Sequence, residues 1–228
     1  MKSWLPNDSA SCIRSACEVS NAGRLDADYF RPRYQSLLAL LRRQGKKLQD
    51  VARLREDMFT PQPGQPFHYI EIGDLAMDGA ATSHVVPGEE APSRATWIVQ
   101  PGDVITSTVR PNRCLTGLIE PEQAENICSS GFAVLTPEGI PSELLFAYLR
   151  LPVICELMDL HTTASMYPAI STTDLMRLPF LLPDDATIKK VKQQIAAARA
   201  AHALLEKAKQ AVELAIEKDE AAGLAALK

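Results

Sequence analysis

The segment that most constrains the fold is a long helical one near the end of the sequence, residues 185–222. It is rich in Ala and Lys, and Asp185 or Thr187 can cap its start. Positions spaced alternately by three and four residues form a heptad seam over about four repeats, as in a coiled coil. The seam consists of Ile188, Val191, Ile195, Ala198, His202, Leu205, Lys209, Val212 and Ile216.

A helix of this length needs a partner. It would be on the order of 50 Å long, and the rest of the chain offers too little helix to cover it. The alanines of the seam permit close approach of a second helix, whereas the polar His202 and Lys209 weaken the seam or fix its register. We therefore predict that two copies of the chain form a homodimer through antiparallel helices.

Residues 47–183 have a different character, because prolines and glycines recur between short apolar runs. Apolar runs bounded by turn residues predict β-strands in a twisted sheet or an irregular barrel. The runs are "FHYIEI", "TWIV", "DVITSTV", "LTGLIE" and "GFAVL". Pro183 would end this β-rich region directly before the long helix.

Two shorter helices are also predicted. In residues 26–44 the apolar side chains share one helical face, and Pro32 is tolerated only near the first turn, so the regular helix should start there. Gly45 follows as a stop signal. Residues 142–158 form the second helix, in which Ser142 is the expected N-cap and Pro152 a point of kinking or splitting.

The predicted fold class is therefore α+β, in three parts. Residues 1–46 carry one amphipathic helix, residues 47–183 form a β-rich domain, and residues 184–228 form the long coiled-coil helix.

Composition is that of an ordinary soluble protein, with a formal net charge of −4 over 228 residues. None of its apolar runs reaches the roughly 18 residues of a membrane span, and "MKSWLPNDSASC" lacks the apolar core of a secretory signal. An odd number of cysteines without CxxC spacing argues against a disulfide framework or a zinc site. We expect reduced thiols in a cytoplasmic protein. The cysteines are at positions 12, 17, 114, 128 and 155.

The charge is nevertheless uneven along the chain, because residues 24–55 carry nine Lys or Arg against three Asp. A solvated helix face is the commoner explanation of such an excess, and a surface that meets a polyanion is the functional one. The basic positions are 24, 31, 33, 42, 43, 46, 47, 53 and 55.

Catalytic signatures are missing from the sequence. It has no phosphate-binding loop, no GxGxxG fingerprint, no GxSxG elbow and no HExxH helix. It also lacks the Asn-Pro-Pro-aromatic motif that an amino-methyltransferase needs, and its four histidines show no metal-ligand spacing. "PDDATIK" superficially resembles a nuclease metal motif, but a helix cap explains it better. We therefore predict a protein without catalytic or metal-binding residues.

Two loops carry side chains that suit DNA. "STVRPNR", residues 107–113, offers arginines that can read guanine, an asparagine that can read adenine, and hydroxyls that can hold phosphate. "HTTASMYPAIS", residues 161–171, is rich in hydroxyls and lies between a predicted helix and a predicted strand, where function tends to concentrate. For each loop a plain polar surface turn is the alternative. The candidate DNA-binding residues are Ser107, Thr108, Arg110, Asn112, Arg113, Thr163, Ser165 and Tyr167.

The order of these motifs resembles that of a known family. "RLDADYFRPRYQSLL" at 24–38 and "KLQDVA" at 47–52 resemble the helix before a target recognition domain and the entry of that domain. "VQPGDVITSTVRPN" at 99–112 and "SSGFAVL" at 129–135 resemble its central strands, and "YPAISTTDLMRLPFLLP" at 167–183 its exit strand. With the long helix as spacer, most of residues 24–220 resembles the DNA-specificity subunit of type I restriction–modification systems.

The chain departs from that family in two respects. The usual subunit has two recognition domains and two spacer helices, whereas this chain has one of each and so resembles a half subunit. The family's exit into the spacer normally carries a Pro-x-x-x-Gln pattern, but here Pro183 is followed by "DDATIKKVKQQI", with the glutamines displaced.

The resemblance implies a non-enzymatic subunit that takes part in DNA methylation and phage defence. It would read one half of a bipartite DNA site and scaffold methyltransferase and restriction subunits. S-adenosylmethionine, ATP and Mg would be used by those partners, and no cofactor is expected in this chain. Two alternatives stay open: a protein-interaction module that dimerises through its helix, and an enzyme that cuts or modifies DNA.

Overall fold

A computed structural model of the chain describes residues 13–23, 25, 27–76, 78–162 and 166–226, without the side chains of residue 44 and of residues 219–226. The chain divides into two compact units between Asp184 and Asp185. We call the first unit the head. The second is a single helix, which we call the stalk. β-sheets in the head and a long final helix confirm the α+β class.

The head contains eight strands and five helices among its described residues. The strands are β1 (Ala52–Leu54), β2 (Phe67–Ile70), β3 (His84–Val86), β4 (Ala95–Ile98), β5 (Val104–Ser107), β6 (Thr116–Leu118), β7 (Ile127–Ser129) and β8 (Phe132–Pro137). The helices are α1 (Ala16–Ala22), α2 (Pro32–Leu41), α3 (Ser142–Leu149), α4 (Pro152–Asp159) and α5 (Thr172–Met176). The stalk is α6 (Asp185–Ala226). Single 3₁₀ turns lie at Arg42–Gln44, Leu48–Asp50, Ile72–Asp74, Gly88–Glu90, Pro111–Arg113 and Pro121–Gln123.

The strands form two four-stranded sheets. The first has the order β1-β8-β5-β6 and is antiparallel throughout, with Ile105 opposite both Val134 and Gly117. The second has the order β3-β2-β7-β4, in which β2 and β7 are parallel. Each of the five predicted apolar runs overlaps a strand of one of these sheets.

One apolar core joins the two sheets. Ile70 and Cys128 come from the second sheet, and Ile105, Phe132 and Val134 from the first, and all five are at most 2% exposed. Burying a side chain of this size contributes about 1.5–3 kcal/mol, so this shared core holds the two sheets together.

A buried ion pair fastens three strands of the first sheet. The Asp103 carboxylate, before β5, accepts bonds from Arg55 Nε and Nη2 at 2.6 and 3.2 Å, just after β1. Thr136 Oγ1 of β8 donates to the same carboxylate at 2.8 Å. Asp103 is 1% exposed, and its hydrogen bond raises the pKa of the Arg55 guanidinium.

The prediction of Ser142 as the N-cap of the helix over 142–158 is wrong. The N-cap is Pro141, whose extended backbone makes Ser142 the first helical residue. The predicted splitting at Pro152 is confirmed, because Pro152 starts α4 and disfavours a helical conformation at Leu151. By contrast, α2 begins at Pro32, and the 3₁₀ turn that continues it stops at Gly45 in the left-handed conformation, as predicted.

The predicted exit strand also needs correction. Residues 172–176 form α5, for which the Ser171 hydroxyl is the N-cap, and the segment that follows makes one isolated bridge, Lys47 with Pro179. Prolines at 179 and 183 have no N–H to donate, so a longer strand cannot form there. Phe180 is fully buried against Tyr148 and anchors this segment in the head.

No helix in the described part of the chain is both long and apolar enough to cross a membrane.

Candidate nucleic-acid interface

A tight turn follows β5 and carries the first candidate loop. Its 3₁₀ turn, Pro111–Arg113, is flanked by Arg110 and Cys114, both non-glycine residues with positive φ, 49° and 54°. Left-handed backbone costs roughly 1–2 kcal/mol for such residues. The surrounding structure therefore has to hold the loop in this shape.

Ser107 and Thr108 are part of what holds it. Both are buried; the Ser107 hydroxyl donates to the Val109 carbonyl at 2.8 Å, and the Thr108 hydroxyl donates to the Gly131 carbonyl at 2.9 Å. Because both hydroxyls are used inside the head, we assign these two residues to loop support and no longer to phosphate contact.

The second candidate loop lies directly against the first. Val109 forms an antiparallel bridge with Ala169, the Arg110 N–H donates to the Pro168 carbonyl at 2.8 Å, and the Ile170 N–H donates to the Thr108 carbonyl at 3.0 Å. Two loops with 47 residues between them in sequence, 107–113 and 161–171, thus form one surface.

Arg110 and Tyr167 meet across this junction. The guanidinium carbon of Arg110 is 5.8 Å from the centroid of the Tyr167 ring, within reach of a cation–π contact. Tyr167 is 69% exposed and the neighbouring Met166 is 78% exposed. We call Arg110, Asn112, Arg113, Met166 and Tyr167 the reading surface.

The cations of the reading surface are available to a ligand. Asn112 and Arg113 are exposed and Arg110 is partly exposed, and within the described residues no carboxylate pairs with either arginine. The described residues therefore do not support a structural role in which Arg110 packs against an acidic neighbour. Guanidinium groups can bind guanine bidentately, and the asparagine amide can bind adenine.

Helix α4 supports the loop from inside the head. It packs against the 3₁₀ turn, and its Cys155 thiol donates to the Leu149 carbonyl at 3.3 Å and interacts electrostatically with Cys114 at the end of that turn. Burial raises the pKa of Cys155, so the thiol stays protonated at neutral pH. Cys17, Cys114, Cys128 and Cys155 are free thiols, and Cys12 lies outside the described residues.

Two predicted site residues, Thr163 and Ser165, lie outside the described residues. Met166 is not among the residues predicted from sequence, because an isolated methionine carries no binding signal there. Its exposure beside Tyr167 is the property that places it on the reading surface.

Comparison with solved structures identifies similar folds. The crystal structure of the HsdS subunit from Thermoanaerobacter tengcongensis matches 74% of this chain with a TM-score of 0.56 and 27% sequence identity. A chain from a structure of complex assembly and conformational transition of the type I R-M system also matches 74%, with a TM-score of 0.56 and 26% identity. The resemblance to type I specificity subunits is confirmed.

No family model and no curated protein matches the sequence. The matched region spans 46% of the HsdS subunit and 43% of the other chain. The chain thus corresponds to less than half of each similar subunit.

Proposed function

We propose that the chain is a non-catalytic DNA-specificity subunit of a type I restriction–modification complex and reads one half of a bipartite site. The observation that carries this proposal is the junction of the two loops. It combines two arginines, an asparagine and an exposed tyrosine, all without a carboxylate partner in the described residues, on a fold similar to HsdS.

The complex would supply the chemistry. In this proposal the methyltransferase subunit uses S-adenosylmethionine and the restriction subunit uses ATP and Mg, while this chain binds DNA and scaffolds both. No group of three or more His, Cys, Asp or Glu side chains suited to a metal occurs among the described residues. The proposed location is the cytoplasm, where the DNA and both partners are found.

Assembly through the stalk is part of the same proposal. α6 has 42 residues and would extend about 63 Å at 1.5 Å per residue. Leu205, Val212 and Ile216 on the heptad seam are 54–59% exposed within one copy. An antiparallel homodimer would cover them and give two reading surfaces, like the two recognition domains of a full subunit. The proposed dimer seam is Ile188, Val191, Ile195, Ala198, His202, Leu205, Val212 and Ile216.

The exposed stalk also favours a second candidate, a protein-interaction module that dimerises without binding DNA. Methylation mapping in a strain whose only such system contains this chain separates the two. A specificity subunit gives one methylated bipartite motif, which disappears when the chain is deleted. Unchanged methylation after deletion, together with no DNA binding by the chain with its methyltransferase, would leave only the interaction module.

A further inference from the structure

The basic excess of residues 24–55 separates into two groups in the structure. One group is paired with carboxylates: Arg31 with Asp28, Arg33 with Glu156, Arg53 with Glu138, and Arg55 with Asp57 and Asp103. The other group is exposed and has no ion pair within the described residues: Arg42, Arg43, Lys46 and Lys47. Arg24 lies outside the described residues. The unpaired charges are therefore confined to the stretch that follows α2.

Chain pairing adds a fifth cation. Gly45 reverses the chain in the left-handed conformation, φ 67°. Residues 46–48 then run beside residues 178–180, since the Phe180 N–H donates to the Lys46 carbonyl and the Leu48 N–H donates to the Leu178 carbonyl, both at 2.9 Å. This places exposed Arg177 beside the other cations. We call Arg42, Arg43, Lys46, Lys47 and Arg177 the basic patch.

Two carboxylates lie near the basic patch in the sequence. Asp50 accepts a bond from the backbone N–H of Lys47 at 2.7 Å, and Asp174 accepts one from the Ser171 hydroxyl at 2.8 Å. Neither forms an ion pair with a side chain of the basic patch. With both carboxylates counted, the five cations still give this surface a net positive charge, although the whole chain is acidic.

The composition of the basic patch fits a polyanion better than a protein surface. None of the exposed large apolar side chains of the described residues lies at 42–47 or 177–180. Protein interfaces have an apolar centre, whereas the DNA backbone requires cations spaced along a surface. Several Lys and Arg side chains without apolar neighbours are typical of phosphate contact.

One cleft brings two cations of the basic patch together. Arg42 and Arg177 line it with His161, Thr162 and Asp174.

We propose that the basic patch binds the sugar–phosphate backbone of the duplex, without regard to sequence, and so sets how the reading surface is oriented on the DNA. This inference rests on the proposed function, because the reading surface supplies the sequence preference. The basic patch supplies affinity and salt dependence, whereas the reading surface supplies base recognition.

The test compares two double variants of the full chain, each with the same reduction in charge. Arg43→Gln/Lys47→Gln removes unpaired cations, and the control Arg31→Gln/Arg53→Gln removes paired ones from the same stretch. Fluorescence anisotropy measures binding to a duplex carrying the methylated motif and to a scrambled duplex, over a range of salt. Circular dichroism melting verifies that both variants fold.

We expect the patch variant to lower the slope of log K against log salt by about 0.9 for each phosphate that the protein no longer neutralises, equally for both duplexes. The control should keep the wild-type slope. An unchanged slope in the folded patch variant would overturn the inference, and so would weakened binding to the methyltransferase subunit with normal DNA binding. Wild-type chain that binds both duplexes equally, with a slope that depends on the patch, would remove the proposed function and leave only the contact between the patch and the DNA backbone. Wild-type chain that binds neither would overturn both.

Discussion

Arg110 combines an unfavourable backbone with a favourable side-chain position. Its left-handed φ of 49° is one that glycine adopts without cost, yet the position carries a long cation stacked on the exposed Tyr167. Backbone strain of this kind persists where the surrounding structure over-determines it, often at functional sites. Here the buried Thr108 and the bonds to the Pro168 and Gly131 carbonyls hold the turn.

Replacing Arg110 with Gly separates stability from reading. Glycine relieves the left-handed strain, so we expect the free energy of unfolding to stay within about 1 kcal/mol of wild type. Specific DNA binding should weaken by roughly 1–3 kcal/mol and one base position should become less selective. Urea unfolding and anisotropy with single-base variants of the site measure the two effects. Equal weakening on specific and scrambled DNA would instead assign Arg110 to phosphate contact.

Asp103 is the opposite case, a charged residue whose role is structural. Replacing it with Ala leaves the mostly buried Arg55 guanidinium without its main partner, and we expect a decrease of about 3 kcal/mol in stability. The matched control is Glu138→Ala, because Glu138 pairs with Arg53 where both side chains are more than half exposed. Surface pairs of this kind contribute at most about 1 kcal/mol. Similar urea midpoints for the two variants would contradict the structural role of Asp103.

Helix α6 exposes apolar side chains to solvent within one copy of the chain. Three apolar side chains on the later part of its seam are more than half exposed, which is unfavourable for a helix that stays alone in water. Covering them with a second copy would remove this apolar surface from solvent without any change in the head.

Asp substitutions on the proposed dimer seam test whether two stalks associate through it. Ile195→Asp/Leu205→Asp places carboxylates on the proposed dimer seam, and we expect monomers because both charges would have to leave water on association. Gln193→Asp/Ala200→Asp adds the same charge at exposed positions opposite the seam and should stay dimeric. Light scattering at tens of micromolar gives the masses. A monomeric wild type without partners would exclude the simple homodimer.

Elements of the head differ in how far the sequence predicts them. β2, β4, β5, β6 and β8 overlap the apolar runs bounded by turn residues, and each forms because its run can be buried locally. β1, β3 and β7 lie outside those runs, and each pairs with a neighbouring strand of its sheet.

The candidate site is also only partly predictable from the sequence. Arg110 and Tyr167 are each predicted from the chemistry of their own loop, but nothing in either loop predicts that they meet. Their proximity depends on the bridge between Val109 and Ala169, which is set by the tertiary fold. The sequence also does not predict which cations of residues 24–55 have a carboxylate partner. Arg53 pairs with Glu138, whereas Arg43 has no ion pair within the described residues.

At the scale of the whole molecule, the described residues form one head and one stalk. A full subunit with two recognition domains can read two different half-sites, because its two heads differ in sequence. A homodimer of this chain would present the same reading surface twice, related by a two-fold axis. The symmetry of the protein would then be imposed on the DNA site.

We therefore expect the recognised site to be an interrupted palindrome, with identical half-sites facing each other across an unread interval. The interval should have a fixed length, because paired α6 helices in the proposed dimer would act as a spacer and one added base pair rotates a half-site by about a tenth of a turn. Adenine methylation mapped in a strain whose only system contains this chain reveals the motif, and plasmids with the interval changed by one base pair serve as the control. A bipartite motif with two different halves would exclude the homodimer and require a second, different specificity chain in the complex.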